Sequence, residues 1–237
     1  MEFRTLRLAP SRSDDDPAPP GFDAPLAPDE IRVLGALVEK SIATPDYYPM
    51  TLNGLVAACN QKSSRDPVVS YAEKDVLAAV DSLKEKGLVH RITSADGRVP
   101  RFRHLFHDAF DLGSAEGAAL CVLMLRGSQT PGEIRQRSGR LHEFESLLEV
   151  EEILEKLCER SPRPLVTALP RRSGEKERRY AHLLGGEAPQ HAEPEESPVR
   201  SAPTEDRLER LRAEVEALRD ELVELRRAFE AFRSQFQ

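Results

Sequence analysis

The stretch Asn60-Gln61-Lys62-Ser63-Ser64-Arg65-Asp66-Pro67 places amides, hydroxyls and two cations on consecutive positions. Amides donate and accept in pairs at base edges, while hydroxyls and cations take phosphate oxygens, so this composition points to nucleic acid. The candidate contacts within it are Asn60, Gln61, Lys62, Ser64 and Arg65. A second group of cations surrounds two short turns. Arg98, Arg101 and Arg103 lie around Ala95-Asp96-Gly97; Arg171, Arg172, Lys176 and Arg178, with Arg179 beside them, lie around Ser173-Gly174. Alternation puts Arg101 and Arg103 on one face of a strand and Phe102, His104 and Phe106 on the other. The loop side chains have an internal use too, capping helices and satisfying their own backbone, and both uses are open at this point.

Other chemistries find no support. The chain has no glycine-rich phosphate loop, no Cys/His metal cluster and no nucleophile elbow. We therefore expect no enzyme, no catalytic residue, no cofactor and no metal. Cys59, Cys121 and Cys158 each sit inside an apolar helical pattern and read as buried thiols. His104 and His182 occupy matching places in a repeated motif, which points to packing and hydrogen bonding.

That motif organises the chain. Arg101-Phe102-Arg103-His104-Leu105 returns as Arg179-Tyr180-Ala181-His182-Leu183, each time closing a segment with three helical patterns before it. Pro28, with Asp29 and Glu30 behind it, opens the first helix, whose apolar stripe is Ile31, Leu34, Leu37 and Val38. A second helix is expected over about Thr51 to Asn60. A third is expected after a capping box at Ser70 and Glu73, ending at Gly87. Leu88–Ile92 and Val99–Phe106 read as a hairpin. The second copy runs from Ser114, through a capping box at Thr130-Pro131-Gly132-Glu133, to a helix with Val150, Ile153, Leu154 and Leu157 inward. Its hairpin covers Leu165–Leu169 and Arg178–Leu184. The expected fold is mainly α with small β wings: two tandem winged helix-turn-helix domains, 27–110 and 111–187, and a C-terminal coiled-coil helix.

Residues 1–26 are rich in Pro, Asp and Ser and predict disorder; 188–204 read as a flexible linker. Over 205–237, Leu208, Leu211, Val215, Leu218, Leu222, Leu225, Phe229, Phe232 and Phe236 keep a 3-4 spacing. With Leu208 at position a, Glu214 and Glu221 fall at g and Arg219 and Arg226 at e, a pattern that pairs opposite charges only between parallel strands. A parallel homodimer is the expectation. No run approaches the roughly 18 apolar residues of a membrane span, and the start carries no signal-peptide core, so a cytoplasmic protein with no membrane partner is expected.

The irregular stretches Glu39-Lys40-Ser41, Thr44-Pro45-Asp46-Tyr47-Tyr48-Pro49, Ala58 to Val68, Leu125-Arg126-Gly127-Ser128-Gln129-Thr130-Pro131-Gly132-Glu133-Ile134-Arg135 and Arg179 to Leu183 resemble the YceH family of bacterial proteins. The resemblance covers about residues 27–187 and implies the tandem winged-helix fold. That family is essentially uncharacterised, so the resemblance implies no site residues.

Charge divides the functional readings. The net charge is −7, yet residues 27–110 balance 11 Lys/Arg against 11 Asp/Glu and 111–187 carry 12 against 13. Any basic surface must be local. The third helix of the second copy, with Glu149, Glu151, Glu152, Glu155 and Glu159 against Lys156 and Arg160, would repel a duplex where an orthodox module enters the major groove. One reading is a regulatory protein that binds double-stranded DNA through loop and wings. The other is a protein-interaction scaffold whose winged helices bind protein partners.

Overall fold

A helix that is apolar all round has to be covered on every side, and this chain has two that come close. α1 (Pro28–Ala43) is buried at every position from Glu30 to Val38. α5 (Ser114–Arg126) is buried from Glu116 to Leu125. In this computed structural model, which describes residues 25–93, 99–171 and 177–186, the two helices cover each other. A Cβ at Gly35 of α1 would lie 2.9 Å from Leu125 Cδ2 and 3.2 Å from Met124 Cβ, so the close approach requires glycine there. The apolar stripe read for α1 therefore widens: its second face meets α5. One hydrophobic core runs through both repeats, from Leu34 and Leu55 to Leu120, Leu154 and Leu157.

The first repeat continues through a short 3-10 turn (Pro45–Tyr47), β1 (Met50–Thr51), α2 (Leu52–Cys59), α3 (Glu73–Glu85), β2 (Val89–Ile92), β3 (Arg101–His104) and α4 (Phe106–Phe110). Thr51 caps α2, its Oγ1 accepting from Gly54 N at 3.2 Å. Gly87, with φ +69°, follows the end of α3 as expected.

Two expectations need correction. The capping box at Ser70 and Glu73 does not form; Ala72 is the N-cap, and the Asp75 carboxylate accepts from its N–H at 2.9 Å. Tyr71 instead gives its N–H and C=O to the Asn60 side chain and stays in the connection. Phe106 does not continue the strand but opens α4. Leu105 N–H donates to Leu88 O as the last rung of the hairpin, and the buried Phe106 ring then meets Phe110 edge-on at 5.2 Å between centroids.

The second repeat comprises α5, α6 (Pro131–Ser138), α7 (Leu147–Glu159), β4 (Val166–Ala168) and β5 (Tyr180–His182). Its predicted capping box is present: Thr130 Oγ1 accepts from Glu133 N at 3.2 Å and Glu133 Oε2 accepts from Thr130 N at 3.0 Å. The hairpins of the two copies have the same register, Val89 opposite His104 and Arg91 opposite Phe102 in one, Val166 opposite His182 and Ala168 opposite Tyr180 in the other. In both, the residue before a Thr N-cap pairs with the aromatic of the last strand: Met50 with Phe102, Gln129 with Tyr180. The fold is mainly helical with small antiparallel sheets. No helix among the described residues is long and apolar enough to cross a membrane. The expected heptad, Leu208 to Phe236, lies outside the described residues, as do the N-terminal stretch up to residue 24 and the linker.

Candidate nucleic-acid interface

The loop after α2 is built from the inside. The last carbonyls of a helix lack intrahelical donors, and here two buried arginines supply them. Arg65 Nε and Nη2 donate to Ala58 O at 3.3 and 3.0 Å. Arg32, on α1, donates to Cys59 O at 3.3 Å and to Pro67 O at 2.6 Å. Arg65 also forks onto Glu39 of α1, Nη1 to Oε1 at 3.1 Å and Nη2 to Oε2 at 2.6 Å. Burial pushes the Glu39 carboxyl up, but the Arg65 hydrogen bonds and charge, with Lys40 behind them, hold it below its ordinary range.

This corrects two candidate contacts. Arg65 is only 6% exposed and its donors are spent on Glu39 and α2; it is a brace, with no fork left for a phosphate. Asn60 closes the connection, its amide donating to Tyr71 O and accepting from Tyr71 N, both at 2.8 Å. Gln61 is half-buried and accepts from Lys40 Nζ at 3.3 Å. Lys62, Ser63 and Ser64 stay exposed. The loop's far end is tied to the second repeat, where Asp66 N–H donates to Leu125 O at 2.9 Å.

The first hairpin is arranged the other way. Phe102, Val89 and Met50 are buried on one face. The register puts Arg101 beside Ile92 and Arg103 beside His90 on the opposite face. Arg101 is exposed, one of its nitrogens donating to Pro49 O at 2.8 Å, and Arg103 is half-buried. His104 anchors the inner face: its Nε2 lies 2.9 Å from Ser41 Oγ, and its Nδ1 accepts from Phe106 N at 3.3 Å. With Nδ1 accepting, the proton sits on Nε2. Burial, then the neighbouring His107 and Arg103, push the imidazole down to about 3.

Loop and hairpin attach to the same turn of α1 through Glu39 and Ser41. Two positions on a helix are about 200° apart, so the two basic elements flank α1 from different sides rather than merging.

In the second repeat Arg171 and Arg178 are exposed. Arg179 is not available, since Nη1 donates to Ser128 O at 3.1 Å and to Glu133 Oε2 at 2.8 Å. Arg98, Arg172 and Lys176 lie outside the described residues. His182 is pushed down to about 4 by burial.

Both cations here have partners: the exposed Lys156 pairs its Nζ with Glu116 Oε1 at 2.7 Å, and Arg160, which caps the end of α7, donates to Phe110 O. Glu152, Glu155 and Glu159 stay exposed beside Leu148, which is 61% exposed. A duplex phosphate gains nothing on this face. Among the described residues no group of His, Cys, Asp and Glu could hold a metal, and burial pushes the Cys59 thiol up to about 12, far from a thiolate nucleophile.

Arg32, Glu39 and Arg126 were not among the residues singled out, yet all three shape this region. A charge between Ile31 and Val33 in an apolar run was the readable signal for Arg32, because a buried charge requires partners.

A family model described as "Protein of unknown function, DUF480" matches residues 26–175. A UPF0502 protein of Opitutus terrae is 51% identical over 216 residues, covering 90% of this chain and 92% of its own. A UPF0502 protein of Azoarcus sp. (strain BH72) is 48% identical over 225 residues, covering 94% and 99%. A third, from Vibrio atlanticus, is 45% identical over 212 residues, covering 87% and 97%.

Proposed function

The chain belongs to the DUF480 family, and from that premise we propose that it is a DNA-binding, regulatory protein of the YceH kind, with two tandem winged helix-turn-helix domains. Its hairpins are the wings and carry the duplex contact. One observation carries the reading: the first hairpin buries Phe102 and turns the exposed Arg101 to the other face. A strand that anchors by its aromatic face and presents guanidinium on its outer face can follow a phosphate backbone. The shared order, capping and register of the two repeats support the tandem assignment.

The contact set is Lys62, Ser64, Arg101, Arg103, Arg171 and Arg178, without Arg65 and Asn60. The third helices stay out of the groove, so affinity rests on phosphate and is steeply salt-dependent. The heptad from Leu208 to Phe232 joins two copies as a parallel coiled coil in the cytoplasm. The 94% coverage by the Azoarcus relative leaves too few residues unmatched to omit that segment.

The test is binding of the purified full-length protein to mixed duplex DNA over a salt series. Absence of binding at ~50 mM salt, where phosphate contacts are strongest, sinks the reading. Light scattering after truncation at Thr204 tests the dimer, since an unchanged oligomeric state removes the heptad from that role. A second reading is favoured by α7: its acidic outer face with the exposed Leu148 suits a protein-interaction scaffold.

A further inference from the structure

The irregular stretch Thr44-Pro45-Asp46-Tyr47-Tyr48-Pro49 leads from α1 into β1 and has no part in the contact set above. It sends its two adjacent tyrosines in opposite directions. Tyr48 turns inward: its hydroxyl accepts from His104 N at 2.6 Å, and its ring lies 5.9 Å from the His104 ring. Tyr47 is 77% exposed. The turn that presents it is pinned, with Tyr47 N–H donating to Thr44 O and Tyr48 N–H to Pro45 O, both at 3.1 Å. Pro49 O, two residues on, accepts from the Arg101 guanidinium at 2.8 Å, and Thr51 faces Arg101 in the register of β1 and β3. The backbone of Tyr47 thus lies no more than about 8 Å from that of the residue that holds Arg101. Val99, 58% exposed, comes two residues before Arg101.

We infer that Tyr47 and Arg101 form a platform for an unpaired nucleobase, the ring stacking on the base and the guanidinium holding the adjacent phosphate, so that this edge takes single-stranded nucleic acid. It goes beyond the duplex reading and shares with it only the phosphate contact at Arg101. A duplex keeps its base faces inside its own stack, so an outward ring finds a π-face where a base is unpaired. Tyrosine has few rotatable bonds, and here its backbone is already fixed, so little freedom is lost on binding. The charge suits a strand: among the described residues the turn, β1 and the two hairpin strands hold Arg91, Arg101 and Arg103 against the one carboxylate of Asp46. A lone exposed aromatic is ordinary on a protein surface. A ring beside a guanidinium with donors to spare is what a nucleotide requires.

The chain contains no Trp, so Tyr47→Trp in the full-length protein supplies a single indole whose emission reports stacking at this place alone. The side chain is exposed, so substitutions there leave the fold intact. The probe is an oligothymidylate, which cannot pair with itself. The expected result is saturable quenching of the indole at ~50 mM salt, where phosphate contacts are strongest. Tyr47→Ala should bind the labelled strand about tenfold more weakly, as loss of one stacked base requires, while Tyr47→Phe, which keeps the ring, binds as the parent does. Absence of quenching overturns the platform. So does a loss in Tyr47→Phe as large as that in Tyr47→Ala, since the hydroxyl would then carry the contact.

A mixed-sequence duplex separates this inference from the hairpin reading. Tyr47→Ala should leave duplex affinity unchanged while weakening the single strand; equal weakening of both overturns the preference for unpaired bases. Duplex binding with no binding of oligothymidylate removes the platform and leaves the hairpin contact. Quenching by oligothymidylate without duplex binding removes the duplex reading and leaves the platform. Oligouridylate in the same titration identifies the source, the tighter of the two strands being the occupant.

Discussion

The loop after α2 and the hairpin β2–β3 are both basic, and both attach to the last turns of α1, yet they spend their arginines in opposite ways. In the loop, Arg65 turns inward to Glu39 and to the carbonyl of Ala58. On the hairpin, Arg101 is exposed, with one nitrogen donating to Pro49 O. The difference lies in what each element must satisfy. A helix end leaves carbonyls without donors, and the loop lies over the end of α2, so its cation is drawn in. The hairpin strands satisfy each other's backbone along the ladder, and the exposed Arg101 keeps donors beyond the one it spends on Pro49 O. Basic composition marks a region; the unsatisfied groups beneath it decide which way the charges face.

The comparison breaks most visibly at Arg65. Arg65→Ala leaves the half-buried Glu39 carboxylate with Lys40 alone and takes the donors from Ala58 O, a loss of about 3 kcal/mol, read as a lowered urea midpoint; an effect as small as that of an exposed residue means that Arg65 is not a brace. Acid gives the next largest effect and probes the anchored face of the hairpin. His104 is held down to about 3 from an ordinary 6.5, so below about pH 6.5 the unfolded chain takes up a proton that the folded chain refuses. Stability therefore falls from pH 6.5 downward until the folded pKa is reached, by on the order of 2 kcal/mol at pH 5. His182, at about 4, adds in the same sense, and His104→Gln should flatten its part of the slope in pH-dependent denaturation.

Asn60→Ala should cost about 1–3 kcal/mol, because the N–H and C=O of Tyr71 both lose their partner. Hydrogen exchange at Tyr71 would report it directly; unaltered protection there argues against the clamp. The smallest effect belongs to Lys62→Ala. Its side chain is exposed, so stability should change by less than about 0.5 kcal/mol, while duplex affinity at low salt declines. A large loss of stability would place Lys62 with Arg65 on the internal side of the comparison.

Elements whose partners are neighbours in sequence were legible. Thr130 and Glu133 cap each other three residues apart, Gly87 marks its own turn, and the Arg-aromatic-x-His-Leu strands announce both hairpins. The loop was not legible at the level of single residues. Asn60 answers to Tyr71 and Arg65 to Glu39, partners 11 and 26 positions away, and nothing in a polar run says whether its groups meet water or protein. The start of α3 at Glu73 goes instead with a local cap, the Asp75 carboxylate on Ala72 N–H. The mutual burial of α1 and α5 had a local trace, the unbroken apolar run from Ala118 to Leu125, but the partner of such a run is a tertiary fact. The site inherits this division. The hairpin cations were visible from alternation, whereas the tie between the repeats depends on Asp66 N–H reaching Leu125 O from the other repeat.

The most direct test of the outward-facing hairpin is duplex binding by the full-length chain and by Arg101→Gln across a salt series. The account predicts measurable binding at ~50 mM salt, a linear fall of log K with log salt, and a slope about 1 unit shallower in Arg101→Gln for any duplex sequence. An unchanged slope in the variant, or no binding by the parent chain, would contradict it.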